Sequence, residues 1–339
     1  MPSSNRDLTS KENVLEFLEQ QDIFKYFKVD LKFETAICDF LSKKNESFEI
    51  NNINQQLILV ANHISAIECE LAELGDSGST ICNKSLRNKK YRSDAVRKEL
   101  HAIIKKSCLS KNILADETSI DIDHGGMVPN SGSTLKEGKM FLLIGGPASG
   151  KSSYANRIAD FYGAYLVDSD IIKRKLPEFA DKEYSASLLH DESSLIQEEI
   201  LELIISAKRN VVVPTIGKSY KKLREMINLY SEKGYDVSII LFNVEKGQAM
   251  LRALKRFLET GRYVPLSYVY DTCGHESVAS FYRVAAEDRE RKMLSIDNNT
   301  NSERKGKIEF AQCSDDIVKI IADKIIWIKL KKWYGSSNI

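Results

Sequence analysis

Residues Lys139–Tyr154 read KMFLLIGGPASGKSSY, and the rest of the chain can be interpreted outward from them. The apolar run Met140–Ile144 predicts a buried strand, and the amphipathic segment that begins at Ser152 predicts a helix. Between the two stands G-x-x-x-x-G-K-S, a pattern typical of a loop that wraps a polyphosphate. In such a loop, glycines let backbone N–H groups point at the phosphates, and the helix N-terminus adds partial positive charge. The stretch therefore predicts a binding site for a nucleoside triphosphate.

The residues of this loop have expected contacts with the nucleotide, which we take to be ATP with Mg²⁺. Lys151 would reach the β- and γ-phosphates, and the hydroxyl of Ser152 would bind Mg²⁺. The residues expected to bind the nucleotide are Gly145, Gly146, Pro147, Ala148, Ser149, Gly150, Lys151, Ser152 and Ser153.

Length and composition limit the other possibilities. A chain of 339 residues suggests about two domains, and its net charge of +1 gives no general attraction to nucleic acid or to membranes. The six cysteines are scattered without a C-x-x-C pair, which predicts reduced thiols in a cytosol-like compartment. Delivery into a target cell by a signal that is not hydrophobic stays open. The apolar runs are too short for a membrane span, and Ile317–Tyr334 is expected to be a packed terminal helix rather than an interfacial one.

Residues 1–136 predict a helical N-terminal domain. Apolar residues recur at helical spacing in a segment after Ser10 and in Leu31–Leu41, Ile53–Leu74 and Ser93–Lys106. The segment Gly75–Lys90 is rich in turn formers and lysine, and it predicts an exposed connection. We place the domain boundary in the loop-like segment Asp121–Gly138.

Residues 137–339 predict a second domain in which strands and helices alternate. After the first strand, strands are expected at Ala164–Val167, Asn210–Val213 and Val237–Val244, and helices at Ser152–Tyr162, Leu188–Ala207 and Tyr220–Lys233. This alternation implies βαβ units, and the near-continuous apolar strands imply that both faces of the sheet are covered. The predicted fold class is therefore α/β, with a parallel sheet flanked by helices.

Two aspartates follow the second predicted strand. Ligands gather at the carboxyl ends of parallel strands, and Asp168 and Asp170 are two residues apart, so both carboxylates can face one site. One could hold Mg²⁺ directly or through water, and the other could accept the proton of an attacking hydroxyl. A pair of turn or helix-capping aspartates is the alternative. The third strand is followed by Pro214–Ser219, which has no acid, so this pair is the best candidate for the Mg²⁺-side carboxylate.

An arginine cluster lies in LRALKRFLETGRYVP. Arg252 and Arg256 are four residues apart and share a helix face, and Gly261 allows a turn just before Arg262. A mobile arginine-rich lid over a phosphate loop would neutralise the charge of a transferred phosphoryl group. A solvated basic helix face is the alternative.

Together these motifs resemble the zeta-toxin family of P-loop small-molecule kinases over about Lys139–Asn299. The resemblance is carried by GGPASGKSS, VDSDIIKRKLPEF, HDESS, VVVPTIGKS and RFLETGRYVP. It implies a P-loop kinase fold and ATP-dependent transfer of a phosphoryl group to a hydroxyl of a small nucleotide-type acceptor, which in the family is usually the 3′-hydroxyl of UDP-N-acetylglucosamine. Two features depart from the family. The family's D-G-T turn reads P-T-I-G here, and fewer residues separate Arg256 from Arg262 than separate the corresponding arginines of the family.

The resemblance also implies roles by position. The implied catalytic residues are Lys151, Asp170, Arg256 and Arg262, the implied acceptor-binding residues are Glu192 and Thr215, and Mg²⁺ would be held by Ser152 and Asp168. Asp170 would take the proton of the acceptor hydroxyl while the arginines stabilise the transferred group.

Two other functions remain open on the sequence. A polynucleotide end kinase would need a basic groove with aromatic stacking, and the chain offers only Lys84–Arg92 and Lys329–Lys332 as basic clusters. A nucleotide-dependent switch with little chemistry would be expected to carry a water-positioning glutamine rather than an aspartate pair.

The helical N-terminal half suggests a hypothesis about regulation. Zeta toxins are typically silenced by a separate small helical antitoxin that blocks the nucleotide site. Here a helical region precedes the phosphate loop in the same chain, and a tethered inhibitor acts at high effective concentration. Residues 1–136 are therefore expected to be a built-in antitoxin or a partner-binding module.

Overall fold

A computed structural model describes residues 6–20, 31–49, 52–272, 275–299 and 306–321. Residues 322–334 of the predicted terminal helix, and with them the basic cluster at 329–332, lie outside the described residues. The first helices are α1 (Lys11–Gln20), α2 (Leu31–Lys43), α3 (Ile53–Leu74) and α4 (Asp94–Ser110). Side chains cap three of them: Ser10 accepts from the N–H of Asn13 at the start of α1, Asn52 from that of Gln55 at the start of α3, and Ser93 from that of Val96 at the start of α4.

Six strands of the described residues form one sheet. They are β1 (Lys139–Ile144), β2 (Tyr165–Leu166), β3 (Val211–Thr215), β4 (Asp236–Asn243), β5 (Met293–Asp297) and β6 (Lys307–Gln312). Their order is β2-β3-β1-β4-β5-β6, and every neighbouring pair is parallel except β5 and β6. The chain moves from β1 first to one side of the sheet and then to the other. The carboxyl end of β1 is thus the point where ligands gather in such sheets.

Helices connect the strands and cover the sheet. They are α5 (Ser152–Phe161), α6 (Ser169–Lys175), α7 (Ser185–Leu188), α8 (His190–Ser206), α9 (Tyr220–Glu232), α10 (Lys246–Thr260), α11 (Leu266–Thr272), α12 (His275–Glu287) and α13 (Asp315–Ile321). The predicted strands and helices of this half are confirmed to within about two residues. Residues 140–144 of β1 are all buried, as the apolar run predicts. The α/β fold with a parallel sheet is therefore confirmed.

The apolar side chains form two cores. The first lies around the sheet, and helix α4 contributes Leu100, Ile104 and Cys108 to it. The segment that follows α4 adds Met127, whose carbonyl oxygen accepts from the N–H of Leu166 in β2 at 2.9 Å. Residues 94–128 thus pack on the sheet, although the predicted boundary assigns them to the N-terminal domain.

The second core joins the N-terminal helices to the arginine-bearing helix α10. Helices α1, α2 and α3 pack there against α10 and α11. At its centre Phe40 of α2 meets Phe257 of α10 with ring centroids 5.1 Å apart, and both side chains are almost fully buried. The two halves of the chain therefore share an apolar core.

The connection between α3 and α4 differs from its prediction. Its polar composition predicts an exposed segment, but Ser79, Thr80 and Arg87 are buried. Arg87 donates from Nε to the carbonyl oxygen of Thr80 at 2.6 Å and pairs with Asp94 at 2.9 Å. The prediction was wrong for these residues because hydrogen bonds to partners elsewhere satisfy their polar groups.

Candidate active site

The loop between β1 and α5 follows a backbone path that only glycine allows at two points. Gly145 has a φ of 148° and Gly150 a φ of 89°. A Cβ atom at Gly145 would lie 2.6 Å from the carbonyl oxygen of Phe242, and one at Gly150 would lie 2.2 Å from Nδ2 of Asn298. The same Nδ2 donates to the carbonyl oxygen of Ser149 at 2.7 Å. Strand β4 and the residues after β5 thus shape the loop.

Lys151 bends back onto this loop. Its Nζ donates to the carbonyl oxygens of Gly145 at 2.5 Å and Gly146 at 2.8 Å, and to Oγ of Ser149 at 3.3 Å. The ammonium group therefore lies at the loop, where the β- and γ-phosphates of a nucleotide are expected. Phosphate oxygens are stronger partners than carbonyl oxygens, so a bound triphosphate would take over these bonds.

Asp168 lies just beyond β2 and caps α6. Its Oδ1 accepts from the backbone N–H of Asp170 at 2.9 Å. Burial, and then repulsion from the Asp170 carboxylate, raise the pKa of Asp168 to about 6. The capping alternative is therefore confirmed as the local structure of Asp168, and the same residue also faces the site.

Asp170 is held between two cations. Its Oδ2 lies 2.9 Å from Nη2 of Arg262, and its Oδ1 lies 3.0 Å from Nζ of Lys173. Burial would raise the pKa of Asp170, but Arg262 and then Lys173 outweigh it and hold that pKa well below its usual range. About a third of the side chain (35%) stays exposed, so the carboxylate is ionised and can be reached.

Arg256 and Arg262 carry buried N–H groups without partners. Nε of Arg256 and both Nε and Nη1 of Arg262 have no hydrogen-bond acceptor among the described residues. Burial, followed by repulsion from Arg262, lowers the pKa of Arg256 to about 10. Buried polar groups in proteins are almost always paired, so these donors indicate an anionic ligand that completes the site.

The segment that carries these arginines is packed rather than free. Helix α10 ends at Gly261, whose φ of 69° makes the turn that brings Arg262 back to the site. The opposite face of α10, with Leu254, Phe257 and Leu258, lies in the second core. The sequence predicts a mobile lid; the structure instead places Arg252 and Arg256 on α10 and Arg262 just after it, with α10 packed against the N-terminal helices.

One cavity brings most of the predicted residues together. We call it the phosphate cavity; its volume is about 510 Å³. The predicted residues that line it are Pro147, Ala148, Ser149, Gly150, Lys151, Ser152, Asp168, Asp170, Thr215, Arg256 and Arg262. Of the described residues 6–136, none lines it. Gly145, Gly146 and Ser153 belong to the same loop but do not line the cavity.

Glu192 lies elsewhere, in a buried ion-pair network. Arg97 donates from Nε to Oε1 at 2.6 Å and from Nη2 to Oε2 at 2.7 Å, and Thr80 Oγ1 donates to Oε2 at 2.5 Å. Nε2 of His101 also lies 2.6 Å from Oε1. The side chain of Glu192 is fully buried, and Arg97 also pairs with Glu178 at 2.7 Å. Both carboxylate oxygens are thus occupied, so the structure does not bring Glu192 to the acceptor position that the resemblance implies.

Two residues that the sequence analysis does not assign to the site, Lys173 and His190, also reach it, as does Arg252 of the predicted arginine cluster. Lys173, which pairs with Asp170, lies three residues after it on α6, and this i,i+3 spacing could have identified it from the sequence. Arg252 lines the phosphate cavity and donates from Nη2 to the carbonyl oxygen of Asn298 at 2.6 Å. His190 also lines it, and burial followed by the nearby Lys173 lowers the pKa of its imidazole.

The residues expected at Mg²⁺ fit such an ion. Ser152 and Asp168 line the same cavity next to Lys151. The described residues hold no cluster of three or more His, Cys, Asp or Glu that could bind a metal on protein ligands alone. A hydroxyl, a carboxylate and the phosphates of a nucleotide are the usual ligands of Mg²⁺ in such sites.

The solved structures to which this chain is similar have low sequence identity to it. A chain of the PezAT chromosomal toxin–antitoxin system of Streptococcus pneumoniae is 12% identical, with 73% of this chain and 96% of that chain covered and a TM-score of 0.48. A chain of the AvrRxo1-ORF1:AvrRxo1-ORF2 complex with ATP is 17% identical, with 70% and 74% covered and a TM-score of 0.44. A gluconokinase from Sinorhizobium meliloti 1021 is 16% identical, with 60% and 100% covered and a TM-score of 0.30.

Sequence comparison places the chain in a family. Among curated proteins none matches it. Within the described residues, no helix combines the length and apolar character needed to cross a bilayer. The sequence model of the family described as zeta toxin matches residues 130–307, which is more than half of the chain and includes the phosphate loop, Asp170 and both catalytic arginine candidates. The chain therefore belongs to the zeta toxin family.

Proposed function

We propose that the protein transfers the γ-phosphoryl group of ATP to a hydroxyl of a small acceptor. One observation carries this proposal: the phosphate-loop lysine, an ionised aspartate and two buried arginines with unpartnered N–H groups line a single cavity. A hydroxyl acceptor, a polyanionic donor and positive charge around the transferred group are the parts that phosphoryl transfer requires. The match to the zeta toxin family supports the same activity.

The nucleotide would lie along the loop. Backbone N–H groups of the loop, such as those of Gly150, Lys151 and Ser152, would surround the phosphates, and Lys151 would exchange its carbonyl partners for phosphate oxygens. Ser152 and Asp168 would hold Mg²⁺, which when bound neutralises charge on the β- and γ-phosphates. Asp168 is suited to this because a nearby cation favours its ionised form.

Transfer would occur next to the paired side chains of Asp170 and Arg262. The hydroxyl oxygen forms a bond to the γ-phosphorus, the bond from that phosphorus to the ADP oxygen breaks, and the hydroxyl proton passes to Asp170. Before transfer, Nη2 of Arg262 keeps Asp170 oriented, and its Nε and Nη1 are free to donate to the transferred group. As Arg262 turns to the phosphoryl oxygens, its hold on Asp170 weakens and the pKa of Asp170 rises, which makes it a better proton acceptor.

The acceptor we propose is a nucleotide-type molecule, with the 3′-hydroxyl of UDP-N-acetylglucosamine as the first candidate from the family. Thr215, at the end of β3, lines the cavity where it could contact such an acceptor. A toxin or effector role follows from the same family membership. Because a similar structure comes from a toxin–antitoxin system, we also propose a separate antitoxin as a partner.

The test is direct. The full chain is incubated with ATP, Mg²⁺ and a panel of nucleotide sugars, dinucleotides and short oligonucleotides. The mass of each acceptor is then measured by mass spectrometry. We expect one added phosphate on a nucleotide-type small molecule and none on the oligonucleotides. ATP binding with no modified acceptor would contradict the proposal and favour a nucleotide-dependent switch.

A further inference from the structure

A smaller cavity adjoins the phosphate cavity beside α6. One of its walls belongs to residues 111–128, which follow α4 and which we call the strap, so we call this space the strap cavity; its volume is about 390 Å³. Ser152, Asp168 and Asp170 line both cavities. Arg174 also lines the strap cavity. This arginine therefore lies beside the site of transfer, although the resemblance to the family implies no role for it.

The strap is a closed loop outside the matched family domain. The N–H of Ile113 donates to the carbonyl oxygen of Val128 at 2.8 Å, which brings the two ends of the strap together. The family model matches residues 130–307, so the strap precedes the matched residues. The strap residues that line the cavity are Ile113, Leu114, Ala115, Glu117 and Ile120. The surroundings of Arg174 therefore include a segment that the matched domain does not supply.

Two neighbouring cations of α6 contact the strap. Lys175 is almost fully buried, and its Nζ donates to three carbonyl oxygens of the strap at 2.6–3.1 Å. Arg174 instead donates from Nη2 to Oε2 of Glu117 at 3.4 Å, which is long for a hydrogen bond to a charged acceptor. The side chain of Glu117 is also 44% exposed. Lys175 therefore holds the strap firmly, whereas the contact between Arg174 and Glu117 is weak.

Arg174 is buried and has an unused donor. Its side chain is only 9% exposed, and its Nε has no acceptor among the described residues. Burial, and then repulsion from Arg262, lower the pKa of Arg174, and Glu117 and Asp170 oppose this only in part. Because buried donors in proteins are almost always paired, the unused Nε indicates an anion that binds here in the working protein.

The position of Arg174 relates it to both parts of the transfer site. It lies four residues after Asp170 on α6, so the two side chains start about 5–6 Å apart on one helix face. The guanidinium carbon of Arg174 lies 5.1 Å from the centre of the Phe179 ring, and that of Arg262 lies 5.8 Å from the same ring. One aromatic ring thus supports both arginines beside the proposed proton acceptor.

We propose that Arg174 is a third catalytic arginine, which leaves Glu117 when ATP binds and donates to the oxygens of the γ-phosphoryl group. This inference rests on the proposed function and adds to it a residue for which the family resemblance implies no role. Two bonds to phosphoryl oxygens, through Nε and a terminal nitrogen, would be stronger than the single long contact with Glu117. Positive charge at that position stabilises the charge that develops during transfer. The alternative is that Arg174 only tethers α6 to the strap.

The two partners of the ion pair distinguish these roles. A tether requires both of them, so Glu117→Gln and Arg174→Gln should then have the same effect. A catalytic arginine predicts different effects, because only Arg174→Gln removes a group that touches the nucleotide. Glu117→Gln removes a competing carboxylate, so it should leave phosphoryl binding unchanged or strengthen it.

The first experiment measures binding and needs no acceptor. The full chain with Mg²⁺ is titrated in a calorimeter with ADP, and with ADP plus aluminium fluoride, which mimics the transferred phosphoryl group. We expect Arg174→Gln to bind ADP about as the wild type does and the fluoride complex about tenfold or more weakly. Glu117→Gln should bind the fluoride complex at least as tightly as the wild type.

The matched control is Arg291→Gln. Arg291 is mostly buried and pairs with Asp288 at 2.8 Å, but it precedes β5 and so lies at the opposite end of the strands. This variant should bind both ligands as the wild type does. Thermal unfolding shows whether each variant is folded, and Arg174→Lys, which keeps the charge but not the paired donors, replaces a glutamine variant that does not fold. We expect Arg174→Lys also to bind the fluoride complex more weakly than the wild type.

The second experiment follows transfer from ATP to the acceptor identified for the wild type. We expect Arg174→Gln to lower kcat about tenfold or more with little change in the KM for ATP, and Glu117→Gln to keep the wild-type kcat. Wild-type affinity for the fluoride complex in a folded Arg174→Gln protein, or equal losses in Arg174→Gln and Glu117→Gln, would overturn the proposal. A wild-type protein that binds the fluoride complex no more tightly than ADP would instead contradict the proposed function, and this inference with it.

Discussion

The hydroxyl of Tyr263 donates a hydrogen bond to Oε1 of Glu68, and so ties the residue after Arg262 to the N-terminal helix α3. Tyr263 is almost fully buried, and its backbone N–H donates to the carbonyl oxygen of Glu183 at 2.8 Å. Burial raises the pKa of Glu68, although the Tyr263 hydroxyl opposes this. The position of Arg262 therefore depends on a contact with the N-terminal half of the chain.

Tyr263→Phe removes the hydrogen bond to Glu68 but keeps the packing of the aromatic ring. The change leaves the half-buried Glu68 carboxyl without its donor, which we expect to cost about 1 kcal/mol of unfolding free energy. Phosphoryl transfer should fall while ATP affinity stays the same, because the residue after Arg262 loses its hydrogen bond to α3, whereas the contacts of Lys151 are unchanged. Tyr235→Phe is the control, since Tyr235 is also buried and donates to the carbonyl oxygen of Arg209 at 2.9 Å, away from the site. Equal transfer rates in the two variants would argue against a positioning role.

Asp170→Asn tests the proton acceptor. The amide keeps the shape of the side chain but cannot take a proton, so turnover should fall by about a hundredfold or more. Nucleotide binding should survive or tighten, because Arg262 and Lys173 lose their carboxylate partner and turn to the phosphates. Isothermal titration with ATP and a transfer assay measure the two effects. Asp168→Asn should instead raise the Mg²⁺ concentration needed for transfer. Equally mild effects at both positions would indicate that the two aspartates only cap the helix.

Glu192→Gln distinguishes a structural from an acceptor-binding role. Burial opposes ionisation of Glu192, but hydrogen bonds from Arg97, His101 and Thr80 hold its pKa at about 2. Relative to its ordinary value of 4.5, that shift corresponds to about 3 kcal/mol of stability. We expect Glu192→Gln to lose about this much at pH 7.

The pH dependence has a definite sign. Because the folded pKa is depressed, the contribution is fully present above pH 4.5 and is lost as the pH falls toward about 2, so the two proteins should converge in acid. Glu199→Gln is the control on the same helix, since its pair with Lys105 is partly exposed and should be worth at most about 1 kcal/mol. A normal stability with a raised acceptor KM in Glu192→Gln would restore the acceptor role.

Residue spacing over a few positions was enough to predict those elements that depend only on neighbouring residues. The loop glycines, the strand before them and the Asp168–Asp170 pair follow from residue spacing over a few positions. The partner of Glu192 could not be predicted, because Arg97 lies 95 residues away and only the packing of α4 on α8 brings them together. The packing of α10 on the N-terminal helices is another long-range relationship, and an arginine-rich segment with a glycine does not reveal it.

The shared core makes a prediction about the hypothesis of a built-in antitoxin. Phe40→Ala should cost about 3–5 kcal/mol of stability and should lower transfer, because Phe40 packs on the helix that carries Arg256. Phe161→Ala is the control, since that ring is 64% exposed. A tethered inhibitor predicts the opposite, so faster transfer in Phe40→Ala, or after removal of α1–α3, would support inhibition.

Lys151→Ala tests the central claim most directly. The lysine lies in a loop and not in a core, so the variant should unfold at nearly the wild-type temperature. Single-turnover transfer from ATP to the acceptor identified for the wild type should drop by about a hundredfold or more, because the variant lacks the charge that faces the transferred phosphoryl group. Transfer at close to the wild-type rate in a folded Lys151→Ala protein would contradict phosphoryl transfer at this loop.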